Sequence, residues 1–438
     1  MRGPAGPVRR LPPILAFASL VLAVVAAGPA SPPPRGAAVL ESAAPRNGAA
    51  LANAALTADE QLLAIGRAVP GFGGMFVGTD GELHVYLRDP ASASSWLEKV
   101  FGAAPRVHRG DFTFEQLLAW KRAAAAAMAL PGVVSLDADE ARNRVVVGVT
   151  RDIEADARER VEAAIEAAGA PRGAVIVEEV APVVAIRPAV AAKAQSTASL
   201  RDTFRPIPGG VQIGWLCDAT TCRWCTDTFT AFRGKTFGFV TCSHCSHTRG
   251  AVDGTRYVQS SPTSGGEVGS EIVDAPFVAC NGGRRCRGSD AVFVRFDRKG
   301  LGSFARIARP SARDPLLGSL LVTPAGARLN VVGAGAPPLV GDTLHKIGRT
   351  TGWTYGPVVR SCVDVNQENT DITYTCQTEV AAGVDVGDSG SPVFTRKGNK
   401  GALLQGIVWA AGEIDDRGTF IFSPLAAIDR ELGPLRFH

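Results

Sequence analysis

Two hydrophobic rhythms divide the chain. From about Thr57 to Glu179, helical and alternating spacings take turns. Met75-Phe76-Val77 and Leu83-His84-Val85-Tyr86-Leu87 flank Thr79-Asp80-Gly81, which predicts a β-hairpin. Thr113 with Gln116 makes a capping-box pair for a helix running to Pro131-Gly132. Val133–Leu136 and Arg144–Val149 predict a second hairpin across Asp139–Asn143. Asp152 is positioned to cap a helix to Gly169, with Ala157, Val161, Ala164, Ile165 and Ala168 near helical spacing, and Ala174–Val177 reads as a last strand. The order predicts a small α+β domain over 57–185. Beyond about residue 205 long helical periodicity disappears. Short apolar runs (Phe237–Val240, Ala291–Val294, Leu320–Thr323, Leu403–Val408, Thr419–Phe422) alternate with Gly-rich turns. That pattern predicts an all-β region, with room for a short helix only at Pro424–Leu432. The stretch 186–204 is Ala/Ser-rich with isolated charges, and is expected to be an exposed linker open to proteolysis.

Composition adds compartment and excludes some partners. At 438 residues the chain has room for two or three domains, and 46% hydrophobic residues with a mean hydropathy of +0.10 make it globular. The net charge of +4 decides nothing by itself. Lys and Arg are scattered, with no basic stripe of the kind phosphate backbones attract, so no nucleic-acid partner is expected. Arg2, Arg9 and Arg10 precede an apolar run from Ile14 to Ala27 broken only by Ser19, and small residues follow at Ala26-Ala27-Gly28. This predicts a secretory signal peptide over 1–30. The run is shorter than the roughly 20 residues of a spanning helix, so no membrane association is expected once it is removed. Pro, Ala and Gly dominate the next segment, 31–56, expected to be a disordered linker. All nine cysteines lie between Cys217 and Cys376. The C-terminal half is thus expected to persist in an oxidising place, outside the cell or in a periplasm, and the N-terminal half is not.

The candidate chemistry starts at Gly387-Asp388-Ser389-Gly390-Ser391-Pro392, followed by the strand-like Val393-Phe394. A serine between glycines in a tight turn exposes its hydroxyl, and nearby backbone N–H groups can converge in front of it. Acyl transfer needs that pairing of nucleophile and oxyanion hole. An ordinary Gly/Ser/Asp turn between strands has the same composition. Upstream, however, stand a histidine after an apolar strand (Phe237–Val240, then Thr241-Cys242-Ser243-His244-Cys245) and an aspartate opening one (Ser289-Asp290-Ala291-Val292-Phe293-Val294).

Together these motifs resemble the chymotrypsin-like serine proteases, whose nucleophile motif is Gly-Asp-Ser-Gly-Ser-Pro. Gly348-Arg349-Thr350-Thr351-Gly352-Trp353 resembles a turn of the bacterial streptogrisin and α-lytic protease branch, and Gln405-Gly406-Ile407-Val408-Trp409 its substrate-lining strand. The matches follow the family's order and span about residues 205–438. The resemblance implies an all-β double β-barrel protease domain over 205–438, with Ser389 as nucleophile, His244 as base and Asp290 orienting the imidazole. His247 and His345, and Asp274 and Asp297, are the rivals for the last two roles. It implies an oxyanion hole from the backbone N–H groups of Gly387 and Ser389, and an inward Asp388 paired with Lys346 or Arg349. A substrate pocket is implied near Gly383, Val384 and Ala411. No acid stands at Gly383, so an apolar side chain before the cut bond is favoured, although Glu413, Asp415 and Asp416 lie close in sequence.

Cys222-x2-Cys225 and Cys242-x2-Cys245 have zinc-ribbon spacing, but a metal there would consume His244. The resemblance implies instead Cys225 (or Cys222) with Cys245, then Cys280 with Cys286 and Cys362 with Cys376. One thiol among Cys217, Cys222, Cys225 and Cys242 is left over. A cysteine pair of the bacterial branch around the Gly-x-Thr-Thr-Gly turn is absent, with His345 and Tyr355 nearby. The N-terminal domain loosely resembles pro-regions of secreted bacterial proteases. The expectation is a secreted serine endopeptidase made as a pre-pro-enzyme. It would act on protein or peptide substrates without cofactor or metal, and be cut between about Ile186 and Arg205. The alternatives are a non-catalytic homologue, a zinc-ribbon binding protein, and an N-terminal binding domain that stays attached.

Overall fold

The computed structural model describes residues 53–92, 96–101, 104–153, 155–190, 198–217, 222–259, 266–324, 326–412 and 418–438. The expected signal peptide, most of the linker after it and the acids at 413–416 lie outside the described residues.

The N-terminal part mixes helices and strands as expected, with additions. Its first helix, Ala58–Ala68, starts at a full capping box. The Glu60 backbone N–H donates to Thr57 Oγ1 (3.4 Å), and Glu60 Oε2 accepts from the Thr57 N–H at 2.7 Å. Thr57 and Glu60 carry the same signal as Thr113 and Gln116, yet no helix was expected there. The Thr113 box does start the helix Phe114–Ala123, which tightens into a 3-10 turn over Ala124–Ala129 before Pro131-Gly132. The first hairpin pairs Phe72–Val77 with Leu83–Leu87, and a third strand, Arg106–Arg109, adds in parallel. Arg-Val-His-Arg has no apolar rhythm, and the helix Trp96–Phe101 is only 6 residues long, which is why neither was anticipated. Val133–Asp139 and Arg144–Val149 form the second hairpin. Val175–Glu179 joins it in parallel after the helix Ala155–Ala167, which starts three residues past Asp152 and buries Ala157, Val161 and Ile165.

The C-terminal part is mostly β. Nine strands make one sheet, in which Thr236–Cys242 pairs antiparallel with Ala291–Phe296. A larger sheet holds the long hairpin Gly352–Asn366 and Ile372–Val380, then Pro392–Lys397, Gly401–Ala411 and Phe420–Pro424. The one expected helix forms at Leu425–Leu432. Phe239, Val240, Phe293, Ile407 and Trp409 are fully or almost fully buried in a core shared by both sheets. Cysteines pair as Cys217–Cys222, Cys225–Cys245, Cys280–Cys286 and Cys362–Cys376, leaving Cys242 free and buried. No described helix is long and apolar enough to cross a membrane.

The two parts share a sheet. Val133–Asp139 pairs on its other edge with the long hairpin, Leu136 facing Asp364 and Ser135 facing Val365. The exposed-linker expectation fails at its described ends. Ile186 and Leu200 are buried, and Ala189–Val190 forms a short strand on Arg223–Thr226. Strand pairing overrides the Ala/Ser-rich composition that suggested an exposed linker. Residues 191–197 lie outside the description.

Candidate active site

The nine-stranded sheet brings together residues 46 positions apart in sequence. Cys242 pairs with Ala291, so the turn after one strand, Ser243–Cys245, meets the residue preceding the other. His244 sits in that turn and Asp290 is the preceding residue. The Ser243 N–H donates to the Asp290 carbonyl at 3.0 Å, which locks the two ends. His244 Nδ1 donates to Asp290 Oδ2, and the other carboxylate oxygen accepts from the Tyr374 hydroxyl at 3.1 Å. Asp290 is fully buried and its own N–H donates to Ser423 Oγ at 3.0 Å. Burial alone would push its carboxyl up. The His244 ring, then Arg249 and Arg287, more than offset that and hold it well below the usual carboxylate range. Tyr374 and Ser423 come from distant strands with no local signature, and sequence reasoning missed both.

Ser389 arrives from the larger sheet, on the turn between Ile372–Val380 and Pro392–Lys397. Its Oγ lies 2.8 Å from His244 Nε2. The turn is held on both sides. Thr226 donates its N–H to the Ser389 carbonyl (2.8 Å) and its hydroxyl to the Gly387 carbonyl (3.0 Å). Gly390 has φ +90°, and a Cβ there would stand 1.8 Å from the Thr226 carbonyl oxygen, so only glycine fits. Asp388 points inward to Lys346 Nζ at 3.2 Å, and also accepts from Thr350 N–H (2.8 Å) and Thr351 Oγ1 (2.6 Å). Of the two bases considered, Lys346 makes the ion pair. Burial lowers the Lys346 ammonium's pKa, against the pull of Asp388. Arg349 turns to Gln212 Oε1 at 2.7 Å.

The cleft holds a strand of the chain itself. Val184 pairs with Ala411 and Ala185 with Ala410, antiparallel, and the Ile186 N–H donates to the Trp409 carbonyl at 3.0 Å. The Ile186 carbonyl oxygen lies 2.8 Å from Ser389 Oγ and 3.0 Å from His244 Nε2. The Gly387 N–H donates to the next carbonyl, Arg187, at 2.9 Å. Past the serine, Ala189 pairs with Trp224 and Val190 with Arg223. Ile186 packs into an apolar cluster with Val384 and Ala411. Gly383 lies behind that wall: its N–H donates to the Pro315 carbonyl at 2.8 Å, and a Cβ would strike the Leu316 carbonyl.

The rivals stand elsewhere. His247 bonds Thr255 Oγ1 at 2.7 Å and meets Trp215 edge-on. His345 accepts from Trp353 Nε1 and pairs across the ladder with Tyr355, their rings 5.3 Å apart. Asp274 is the partner of Arg287 at 2.6 Å, and Asp297 of Arg256 at 2.6 Å. Cys242, His244 and Cys245 bring possible metal-ligand atoms within 4.8 Å of one another. Their chemistry does not fit zinc. Cys245 and Cys225 share a disulfide, Cys222 is bonded to Cys217, and His244 is engaged by Asp290 and Ser389.

No known protein-family profile and no curated protein matches the sequence. Among solved structures the chain is similar to a Nocardiopsis protease (21% identity, TM-score 0.38, covering 53% of this chain and 98% of that one). It is also similar to Thermobifida fusca protease A (22%, 0.37, 52% and 97%) and to Cellulomonas bogoriensis chymotrypsin (23%, 0.37, 53% and 98%). Such neighbours are bacterial serine proteases, at low identity and over about half of this chain.

Proposed function

We propose that the chain is a secreted serine endopeptidase made as a pre-pro-enzyme, with a double β-barrel catalytic domain over 205–438. The observation that carries this reading is the run of contacts Asp290–His244–Ser389: a buried carboxylate on Nδ1, with Nε2 2.8 Å from a serine hydroxyl. Such a histidine has one nitrogen free to accept a proton and a fixed ring to accept it with. Ser389 Oγ attacks the substrate carbonyl carbon while His244 takes its proton. The oxyanion is met by the Gly387 and Ser389 N–H groups. His244 then protonates the leaving amine, and water, deprotonated by the same ring, hydrolyses the acyl-enzyme.

The reading includes maturation, with the N-terminal part, about 57–185, as a pro-region and the cut between Ile186 and Arg187. The occupied cleft supports this, because the strand lies in it as a substrate would, with its Ile186 carbonyl beside Ser389. That carbonyl accepts from the Ser389 hydroxyl and lies 3.0 Å from His244 Nε2, while the Gly387 N–H is spent on Arg187. The pose is inhibitory. Cutting needs the Ile186 carbonyl to turn into the hole that the Arg187 carbonyl must leave. The test is mass spectrometry of the secreted protein beside its hydrolysis of an unfolded protein substrate. Expected is an active species beginning at Arg187, with Ser389→Ala inactive and uncut. A fully active, uncut chain would overturn the maturation scheme, and hydrolysis by Ser389→Ala would overturn the catalytic one.

A further inference from the structure

Ile186 is only 3% exposed, between half-buried Ala185 and exposed Arg187. Its neighbours in the buried cluster are aliphatic or phenyl: Val380, Ala382, Val384, Val408, Ala411 and Phe420. Among the described residues, the buried acid beside Gly412, Glu379, accepts from Arg360 Nε at 2.6 Å, so its charge is already met. On the other side of the serine, Ala189 packs with Trp224 and the Cys217–Cys222 disulfide. Backbone pairing is made on both sides, to Ala410–Ala411 before the Ile186–Arg187 bond and to Arg223–Trp224 after it. Four residues before the bond the contact persists, since the Glu368 N–H donates to the Val183 carbonyl at 2.8 Å.

From this register we infer a substrate class: extended polypeptide segments with a branched aliphatic residue immediately before the cut bond, gripped as a strand on both sides of it. The inference rests on the proposed serine-peptidase activity and deepens it. A pocket closed around one Ile side chain has no room for a phenyl ring without moving Val384 or Ala411, and overpacking is unfavourable. A charged side chain there finds no free partner among the described residues and stays desolvated. A smaller one leaves apolar wall uncovered, and a methylene of difference is worth about 10–200-fold in discrimination. The requirement for strand pairing after the bond also separates this cleft from one that only grips chain ends, because Ala189 and Val190 are held as firmly as Val184 and Ala185.

The test uses decapeptides copying residues 181–190 with the residue at position 186 varied, added to the secreted protein once its Ile186–Arg187 bond has been cut. A fluorophosphonate probe first establishes that Ser389 is reactive in that sample. Expected is cleavage after position 186, with Ile and Val about 10-fold or more ahead of Ala and Phe, and about 100-fold or more ahead of Lys and Asp. A peptide ending at Arg187 falls by about 10-fold or more against the full decapeptide. Val384→Ala raises Phe relative to Ile, a ratio that does not depend on how much of the variant folds. A labelled enzyme that prefers Phe or Lys, or that cuts the short peptide equally well, overturns the substrate class and leaves the peptidase intact. A chain cut at Ile186–Arg187 that the probe does not label at Ser389 overturns both.

Discussion

Two buried clusters of charge in this molecule are built to opposite standards. Around Asp290 three carboxylates have their counterparts, Asp290 the His244 ring and Tyr374, Asp274 the Arg287 guanidinium and Ser243, Asp388 the Lys346 ammonium and two threonines, although Glu271, near Asp274, has neither oxygen met. Where the N-terminal part meets the long hairpin, supply falls short. Lys121 is shared by Asp59 at 3.0 Å and Asp364 at 3.7 Å, and it donates to the Cys362 carbonyl as well. Asp59 Oδ1, Asp137 Oδ1 and Glu140 Oε1 are buried with no hydrogen-bond partner. An unmet buried carboxylate is unfavourable when ionised and tolerable when protonated. On the proposed maturation scheme the first cluster would persist and the second would be a junction that can be undone. The cysteine distribution says the same, since all four disulfides lie beyond residue 216.

The sharpest way to break the comparison is at the satisfied cluster. His244→Ala should lower peptidase activity by about 10³-fold or more in kcat/KM, since the serine loses its base. A modest loss would mean that the contacts around Asp290 serve structure only. At the other cluster Lys121→Met removes the cation that Asp59 and Asp364 share. Denaturation of the full chain in a Ser389→Ala background, which keeps it uncut, should then register a loss of about 3–5 kcal/mol. An unchanged midpoint would show that the junction does not depend on Lys121.

Asp137 sharpens the contrast through pH. Burial, with Asp139 and Asp59 near it and only partly opposed by Lys121 and Arg360, pushes its carboxyl up to about 8, against about 3.9 for a free aspartate. The native state therefore favours the protonated form. Its contribution is complete below about pH 4 and is lost as pH rises through about 8. In the same uncut background, Asp137→Asn should match the parent near pH 5 and melt above it near pH 9. The gap would be roughly 2–4 °C per kcal/mol of relief. A gap that closes with rising pH contradicts the sign. The smallest effect belongs to His247→Ala, which should leave activity within about threefold, its ring being bonded to Thr255 and set edge-on to Trp215 rather than facing Ser389.

What the sequence made legible follows the range of the interactions involved. His244, Asp290 and Ser389 each carry a local signature, a strand on one side and a tight turn on the other, and these were readable in order. The hairpins and the Phe114–Ala123 helix were readable for the same reason. Tyr374 and Ser423, which hold Asp290, and Thr226, which holds the Ser389 turn, were not, because their positions are set by pairing between strands far apart in the chain. The occupied cleft was the largest omission. Residues 184 and 185 closed the expected N-terminal domain and 186–190 opened the expected linker, and only the open edges of Gly401–Ala411 and Arg223–Thr226 make them strands. The Ala58–Ala68 helix was a different kind of miss, since its capping box was in plain view.

The central claim is that Ser389 is an activated nucleophile, and covalent labelling reads it directly. The secreted protein is treated with a fluorophosphonate, which reacts with a serine only when a neighbouring base has raised its nucleophilicity, and the modified peptide is located by mass spectrometry. The prediction is a single adduct on Ser389, absent in Ser389→Ala and reduced by about 10³-fold in rate in His244→Ala. Equal labelling of the parent and Ser389→Ala, or none in a sample whose Ile186–Arg187 bond has been cut, would contradict it.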